Sequence, residues 1–513
     1  MRPATLLRLA FAGGRADALR IALTAVSAAL ATLVALSAAT VLAIRKPKVD
    51  PDFNFWSEQY TNGLLREPEL RQGLAFGMLL LVIPVLGLAA QCSRLGAPAR
   101  ERRLAAFRLA GATPGQAVRV AAGETGLAAA LGSAFALAAY LVGREVLHRP
   151  LPEGKLALPT DVRLAPWIMA AICLAVPALA GLLSAVALRR VIIGPLSVVR
   201  RTRTRPPRPW PGVVLGIGIA LFAGALPLEK RFGGLAFGAA LFGGALLVCA
   251  GVVLGTGWIA ATVGRLLRRS ARRPSVLLAG RRLEADPWSG SRSFATLILA
   301  TVVGAGAAGM WSWFDTELKL RNVSQRRLDA LLGFSPPGAY EEDPFYASAF
   351  RLVGYGVAAA AVIAAVGVLI AIAEGVVARR RAYTMLVASG VPRGVLARSV
   401  LWQSLAPLVP ALLVAVAVGA ALPQTLVSEV HSGGSTATTC TSPVDQPGAC
   451  EDPQLAPQYE RTIELESISA PVPVPWDLLA LVGGGALLAG LLAVLVGLLF
   501  LRPSTDPAEL RTA

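Results

Sequence analysis

The feature that most constrains this chain is the recurrence, from one end to the other, of apolar runs long enough to cross a bilayer. A helix needs about 20 predominantly apolar residues to span the hydrocarbon core. Ten such stretches can be read, at 18–44, 73–92, 118–142, 165–188, 212–228, 234–263, 294–314, 351–378, 399–422 and 476–501. The fifth is short and glycine-rich, and only 'LEKRFGG' separates it from the sixth. If those two formed a re-entrant hairpin, the expectation would fall to eight crossings with the rest of the topology unchanged. The first run is too long for the apolar region of a secretory signal and lacks a small-residue cleavage site, so it is expected to be a spanning helix. With 16% charged residues, against about 25% in soluble domains, the composition excludes a chain of ordinary globular domains.

Charge between the runs is sorted by side. With the N-terminus placed inside, and charges within a run given to its nearer end, the inner segments hold 32 of the 49 Lys and Arg but only 8 of the 31 Asp and Glu. The outer segments hold 17 and 23, so the net charge is +24 inside and −6 outside. That pattern is expected of a multi-pass protein of the cell membrane with both termini cytoplasmic, because inner loops carry the Lys and Arg excess and face anionic lipid. It also accounts for the overall +18 without nucleic acid, for which the 6% aromatic content offers few stacking platforms.

An internal repeat organises the runs. Residues 99–124 read 'ARERRLAAFRLAGATPGQAVRVAAGE' and residues 378–403 read 'ARRRAYTMLVASGVPRGVLARSVLWQ'. A constant offset of 279 brings Arg100 onto Arg379, Arg102 onto Arg381, Gly111 onto Gly390 and Arg119 onto Arg398. Each copy is a basic cluster, an apolar helical stretch, a glycine, a short polar turn and then a membrane run. The flanking runs repeat in the same order and both copies begin inside, so the repeat is parallel. The expected fold is an all-α integral membrane protein of about ten helices. Residues 1–200 form a first four-helix repeat, 201–274 a connecting two-helix hairpin, and 275–513 a second four-helix repeat with an acidic outer loop at 423–475.

The segments 'ARERRLAAFRLAGATPGQAVR' and 'RRRAYTMLVASGVPRGVLAR' resemble the inner loop of FtsX-like permease domains, and 'LLAGRRLEADPWSGSRSFATLILA' (277–300) resembles the basic approach to that family's first helix. The two-repeat, ten-helix plan is similar to the fused permeases of the bacitracin-exporter type. The resemblance implies a permease subunit of an ABC transporter, served by a separate cytoplasmic ATPase, with one ATPase dimer per permease chain. Its cargo would be amphipathic or lipid-like, and it would export, extract or transmit motion. The resemblance also implies that the two inner segments are ATPase-coupling elements, with Arg100, Arg102, Arg103, Gly111 and Thr113 in the first and Arg379, Arg380, Arg381, Gly390 and Pro392 in the second. Arginine suits that task because its planar fork pairs with partner carboxylates, and the two glycines suit left-handed helix caps. Family members often carry a large extracytoplasmic domain; the corresponding loops here are only 45–72 and 315–350.

The residues that chemistry would need are sparse. The phosphate-binding pattern GxxxxGK[ST] is absent and none of the five lysines stands between Gly and Ser or Thr, so ATP would be used by the partner and no cofactor is expected on this chain. With two histidines and no CxxC, neither a zinc site nor a catalytic cluster is expected. A membrane enzyme is therefore poorly supported. A secondary transporter without an ATPase is the alternative, since parallel repeats occur there too, but no convergent midplane carboxylates are visible. Glu124 and Glu374 lie near inner ends of runs and are expected to snorkel or to pair with nearby Arg119 or Arg379. Cys92, Cys173 and Cys249 read as buried apolar residues. Cys440 and Cys450, in 'CTSPVDQPGAC' of the outer loop, are candidates for a disulfide in an oxidising exterior.

Overall fold

The structure is a computed structural model. It describes residues 15–45, 59–66, scattered positions between 71 and 111, 113–151, 154–192, 209–331, 344–432, 436–440, 457, 460–464 and 467–499. The expected second run, 73–92, falls mostly outside the described residues, as do Arg100, Arg102, Arg103 and Cys450.

The helices of the first repeat are α1 (Arg15–Leu42), the short α2 (Gly63–Arg66), α3 (Pro114–Val146) and α4 (Pro166–Ile192). Then come α5 (Trp210–Ala223), α6 (Ala225–Phe232), α7 (Gly234–Arg269) and α8 (Pro274–Ala285). The second repeat holds α9 (Pro287–Leu331), α10 (Pro344–Ala378), α11 (Arg380–Ala388), α12 (Arg393–Leu426) and α13 (Trp476–Leu499). Four short strands lie between α12 and α13: β1 (Glu429–Ser432), β2 (Thr436–Cys440), β3 (Glu460–Glu464) and β4 (Ile468–Pro471). Among the described residues, eight helices are long and apolar enough to cross a membrane: α1, α3, α4, α7, α9, α10, α12 and α13.

The fifth expected run is bent. It is a 14-residue helix, α5, that stops at Gly224 and continues as α6 at an angle of 53°. Fourteen residues rise about 21 Å, short of the roughly 30 Å apolar core, so α5 makes a full span only together with the continuation 'ALPLEKRF'. Glycines let α5 lie directly on α7. A Cβ on Gly218 would meet the Val248 nitrogen at 2.7 Å, and one on Gly251 would meet that of Leu215 at 2.7 Å. Small residues at such contacts let backbones approach where lipid supplies no hydrophobic drive.

The outer loops also differ from expectation. The seventh run, read as 294–314, belongs to a 45-residue helix reaching Leu331. Its polar extension is held by ion pairs one turn apart, Lys319 with Asp315 at 2.7 Å and Arg321 with Glu317. Such i,i+4 pairs support helix beyond the membrane. The loop expected at 423–475 holds two antiparallel ribbons, β1 with β4 and β2 with β3. The first is tied to α9 through the Ser312 hydroxyl, which donates to the Pro473 carbonyl at 2.6 Å.

Two helix pairs at the 279 offset are in contact. In the first copy α1 crosses α3 and in the second α9 crosses α12, each at a glycine. Gly132 leaves no room for a Cβ beside the Ala25 carbonyl, and one on Gly419 would meet the Val302 oxygen at 2.6 Å. The α1–α3 seam adds hydroxyl contacts, Thr32 with Ser133 at 2.9 Å and Thr40 with Tyr140 at 2.7 Å. The last helix of each copy starts at a Pro-Trp pair, Pro166-Trp167 and Pro475-Trp476, with both indoles largely exposed, as at a membrane interface. Phe222, Val248 and Val252 from α5 and α7 share one apolar core with Leu297, Val368, Leu396, Leu408 and Val494 of the second copy. The hairpin therefore packs onto the second repeat.

At the C-terminal end of α1, Tyr60 is fully buried and donates to the Asp161 carboxylate at 2.8 Å. Burial, and then that bond, push its phenol above the ordinary range. Arg71 is buried beside it and donates to the carbonyls of Leu65, Ile44, Arg45 and Arg66. Burial lowers its pKa.

Candidate functional site

The two segments singled out by the repeat form the same backbone turn. Gly111 has φ 92° and Gly390 has φ 93°, a left-handed conformation that a Cβ disfavours. Two residues on, Thr113 and Pro392 occupy the N-cap positions of α3 and α12, both extended, with φ −69° ψ 154° and φ −60° ψ 137°. Both spanning helices then start 279 positions apart, at Pro114 and Arg393. The turn is the same, although the capping chemistry differs. In the first copy the Gln116 amide donates to the Thr113 hydroxyl at 3.3 Å while the Thr113 amide donates to the Gln116 side chain at 2.9 Å. That reciprocal pair is a capping box. In the second copy Pro392 has no side-chain cap, and closure comes from the preceding helix. The Val391 amide donates to the Leu386 carbonyl and the Gly390 amide to that of Val387, both at 3.0 Å. These are the two bonds of a Schellman motif, which needs the left-handed glycine.

Helix α11, between α10 and this turn, is amphipathic. Tyr383 and Thr384 are buried, while Ala382, Met385, Ala388 and Ser389 are exposed. Arg282 of α8 fixes the buried side: it donates to the Tyr383 hydroxyl at 2.9 Å, and its guanidinium lies 5.0 Å from the ring centre. The cation on the ring face adds to the hydrogen bond. Helix α8 is seated on α7 by Gly264 and Gly280 and by an Arg268–Glu284 ion pair of 3.3 Å. A continuous support therefore runs from α7 through α8 to α11. The first copy exposes Ala106, Leu109, Gly111, Thr113, Gln116 and Arg119 at its turn, with Leu109 at 90% exposure.

Of the arginines that the sequence pointed to, Arg379 sits half-buried at the break between α10 and α11. The backbones of Arg380 and Arg381 start α11, and their side chains are outside the described residues, as are Arg100, Arg102 and Arg103. Sequence reasoning missed the large apolar members of these surfaces, Leu109 and Met385. Their signal was present: Ala106 falls on Met385 and Leu109 on Ala388 at the same offset. Cys440 ends β2, opposite Glu460 in register; its side chain and Cys450 are not among those described.

Glu124 does not pair with Arg119, which is exposed. It accepts from Arg20 of α1 at 3.1 Å, with both side chains at most 7% exposed. The second copy has Leu299 and Gln403 at the equivalent positions. There, beneath α11, a cleft of about 100 Å³ opens between α9, α10 and α12, with Arg379, Tyr383, Gln403 and Ser404 among its lining residues. Among the described residues no group of three or more His, Cys, Asp or Glu could hold a metal ion.

Comparison with known proteins places a family on this half of the chain. Residues 356–504, from within α10 through α13, match the family model of the FtsX-like permease C-terminal domain. No curated protein and no solved structure matches the chain. The matched stretch contains the Gly390 turn, α11 and most of the cleft, and the long apolar helices run on both sides of it. The chain is a multi-pass membrane protein whose residues 356–504 match the FtsX-like permease C-terminal domain.

Proposed function

We propose that this chain is the permease subunit of an ABC transporter, driven by a separate cytoplasmic ATPase that binds both glycine turns. The observation that carries the proposal is the identity of the two turns, with φ of 92° and 93° at the glycines and helix starts 279 residues apart. A transporter worked by a dimeric engine needs two equivalent handles on one side of the membrane. Each turn leads without a break into a spanning helix of more than 30 residues, so a push at the turn is passed directly to a membrane helix. The exposed residues suit protein contact: Leu109 and Met385 are apolar knobs, and Arg380 and Arg381 beside them would pair with carboxylates on the ATPase. In this reading the turn end is cytoplasmic, in keeping with the Lys and Arg excess there. ATP stays on the partner, one ATPase dimer serves one permease chain, and the cargo is amphipathic or lipid-like, moved or extracted across the cell membrane.

The test is co-purification of the tagged chain from native membranes in mild detergent, followed by an ATPase assay. A Walker-motif ATPase should accompany the wild type and be lost from a Met385→Glu variant or from a chain with Arg379, Arg380 and Arg381 all changed to Ala. Both variants should still insert. A clean single-chain preparation from several detergents would instead favour a transporter that uses no ATPase.

A further inference from the structure

We infer that the cleft beneath α11 is a binding site for one anionic phospholipid of the adjoining leaflet. Three observations converge on it. The first is chemical. Phe294, Ile372 and Val376 make an apolar wall, and Arg379 is the one charged residue in the lining, at the end of the bundle where α10 leaves the membrane. Among the described residues no carboxylate is paired with Arg379. A cation at the mouth of an apolar cleft suits an anionic headgroup with a hydrocarbon tail, since charge-assisted bonds to phosphate are among the stronger ones.

The second observation is the contrast between the repeats. At the equivalent place in the first copy, Glu124 takes Arg20 as an internal counter-ion at 3.1 Å. The second copy replaces the carboxylate by neutral Gln403 and the arginine by Leu299, and Gln403 and Ser404 face the cleft. The first repeat closes its polar position with its own ion pair, while the second keeps a cation and neutral donors facing open space. The third is space. The volume of about 100 Å³ takes about three water-sized groups, enough for the glycerol region or a few methylenes, with the remaining tail in the bilayer. Gly375 lines this space, and a Cβ built there meets nothing within 4 Å.

The site rests on the permease reading only in its choice of the cytoplasmic leaflet. Because Arg379 and Tyr383 belong to the α10–α11 corner, a lipid here would brace the handle that an ATPase moves. The measurement uses the full chain without any ATPase, reconstituted in discs of phosphatidylethanolamine with or without phosphatidylglycerol, then re-extracted and weighed intact by native mass spectrometry. Wild type and Arg379→Lys should each retain one phosphatidylglycerol. Arg379→Gln, Gln403→Glu and Gly375→Leu should each lower retention about tenfold, the loss expected when one charge-assisted contact or the tail space is removed. Gln403→Glu supplies an internal counter-ion and Gly375→Leu fills the cleft, so the two fail by different routes if one of them misfolds. Equal retention of phosphatidylethanolamine would mean annular lipid only and overturn the site. So would unchanged retention in Gln403→Glu and Gly375→Leu, or displacement of the lipid by millimolar inorganic phosphate. ATPase capture is read separately, so either idea can fail alone.

Discussion

At the scale of single residues, the Arg20–Glu124 pair is the most consequential contact of the first repeat. Both side chains are at most 7% exposed, so removing one partner strands a charge in the bundle. Arg20→Met or Glu124→Leu should therefore destabilise by about 3–5 kcal/mol. The double variant should recover most of the loss, because an apolar pair replaces a costly ionic one. Thermal unfolding in detergent, followed by loss of monodispersity, would show it; additive losses in the double variant would refute the account. The glycine turns are a milder case. Gly390→Ala places a Cβ at φ 93° and should cost about 1 kcal/mol, as should Gly111→Ala, measured the same way. Those glycines were legible in the sequence, because a glycine after a basic, apolar stretch and before a polar turn is a helix-stop signal. The Glu124 partner was not. It stands 104 positions away, and no local spacing singles out Arg20 over the nearer Arg119.

At the scale of elements, the sequence periodicity places the spanning helices well and their ends badly. Hydropathy stops where the membrane stops, but a helix does not. Residues 315–331 read as loop because they are charged, yet they continue α9 because the charges fall one turn apart. The reverse happens at Gly224, where an apolar pattern continues through a glycine and the helix bends by 53°. The ribbons between α12 and α13 carry Thr-rich and acidic stretches whose pairing joins residues 20 or more positions apart, beyond any hairpin signal. The element with the clearest mechanical role is α11, and its hold on the rest is Arg282 on Tyr383. Arg282→Met should leave the bundle intact and free α11. Hydrogen exchange at residues 380–388 should speed up about tenfold or more, given that hydrogen bonds to charged groups contribute about 1.5–3 kcal/mol. Residues 400–420 of α12 should be unchanged; equal acceleration in both would mean the arginine supports the whole bundle.

At the scale of the whole molecule, the two ends of the bundle differ in kind. One end carries both glycine turns and α8, and the other carries the ribbons, the polar extension of α9 and the Tyr60–Asp161–Arg71 cluster. Counting the bent α5–α6 pair as one span, six crossings separate the two turns, and an even number puts both on one side, as the charge sorting expects. That agreement yields a test independent of any partner. With the natural cysteines replaced by Ser or Ala, a single cysteine at Ser389, exposed in the second turn, should react with a membrane-impermeant maleimide only after the cells are opened. One at Ser467, exposed before β4, should react in intact cells. A chain whose turns faced outward would label in the opposite order, and the Lys and Arg excess would then require another cause. If the turns are cytoplasmic, each chain offers two handles at one end, and an intact complex weighed by native mass spectrometry should contain one permease chain for two ATPase chains. Two permease chains per ATPase pair would leave four turns for two engines. In that case the second repeat, which holds the family match, α11 and the hairpin core, would be the working half, and the first, closed by its own ion pair, would be its support.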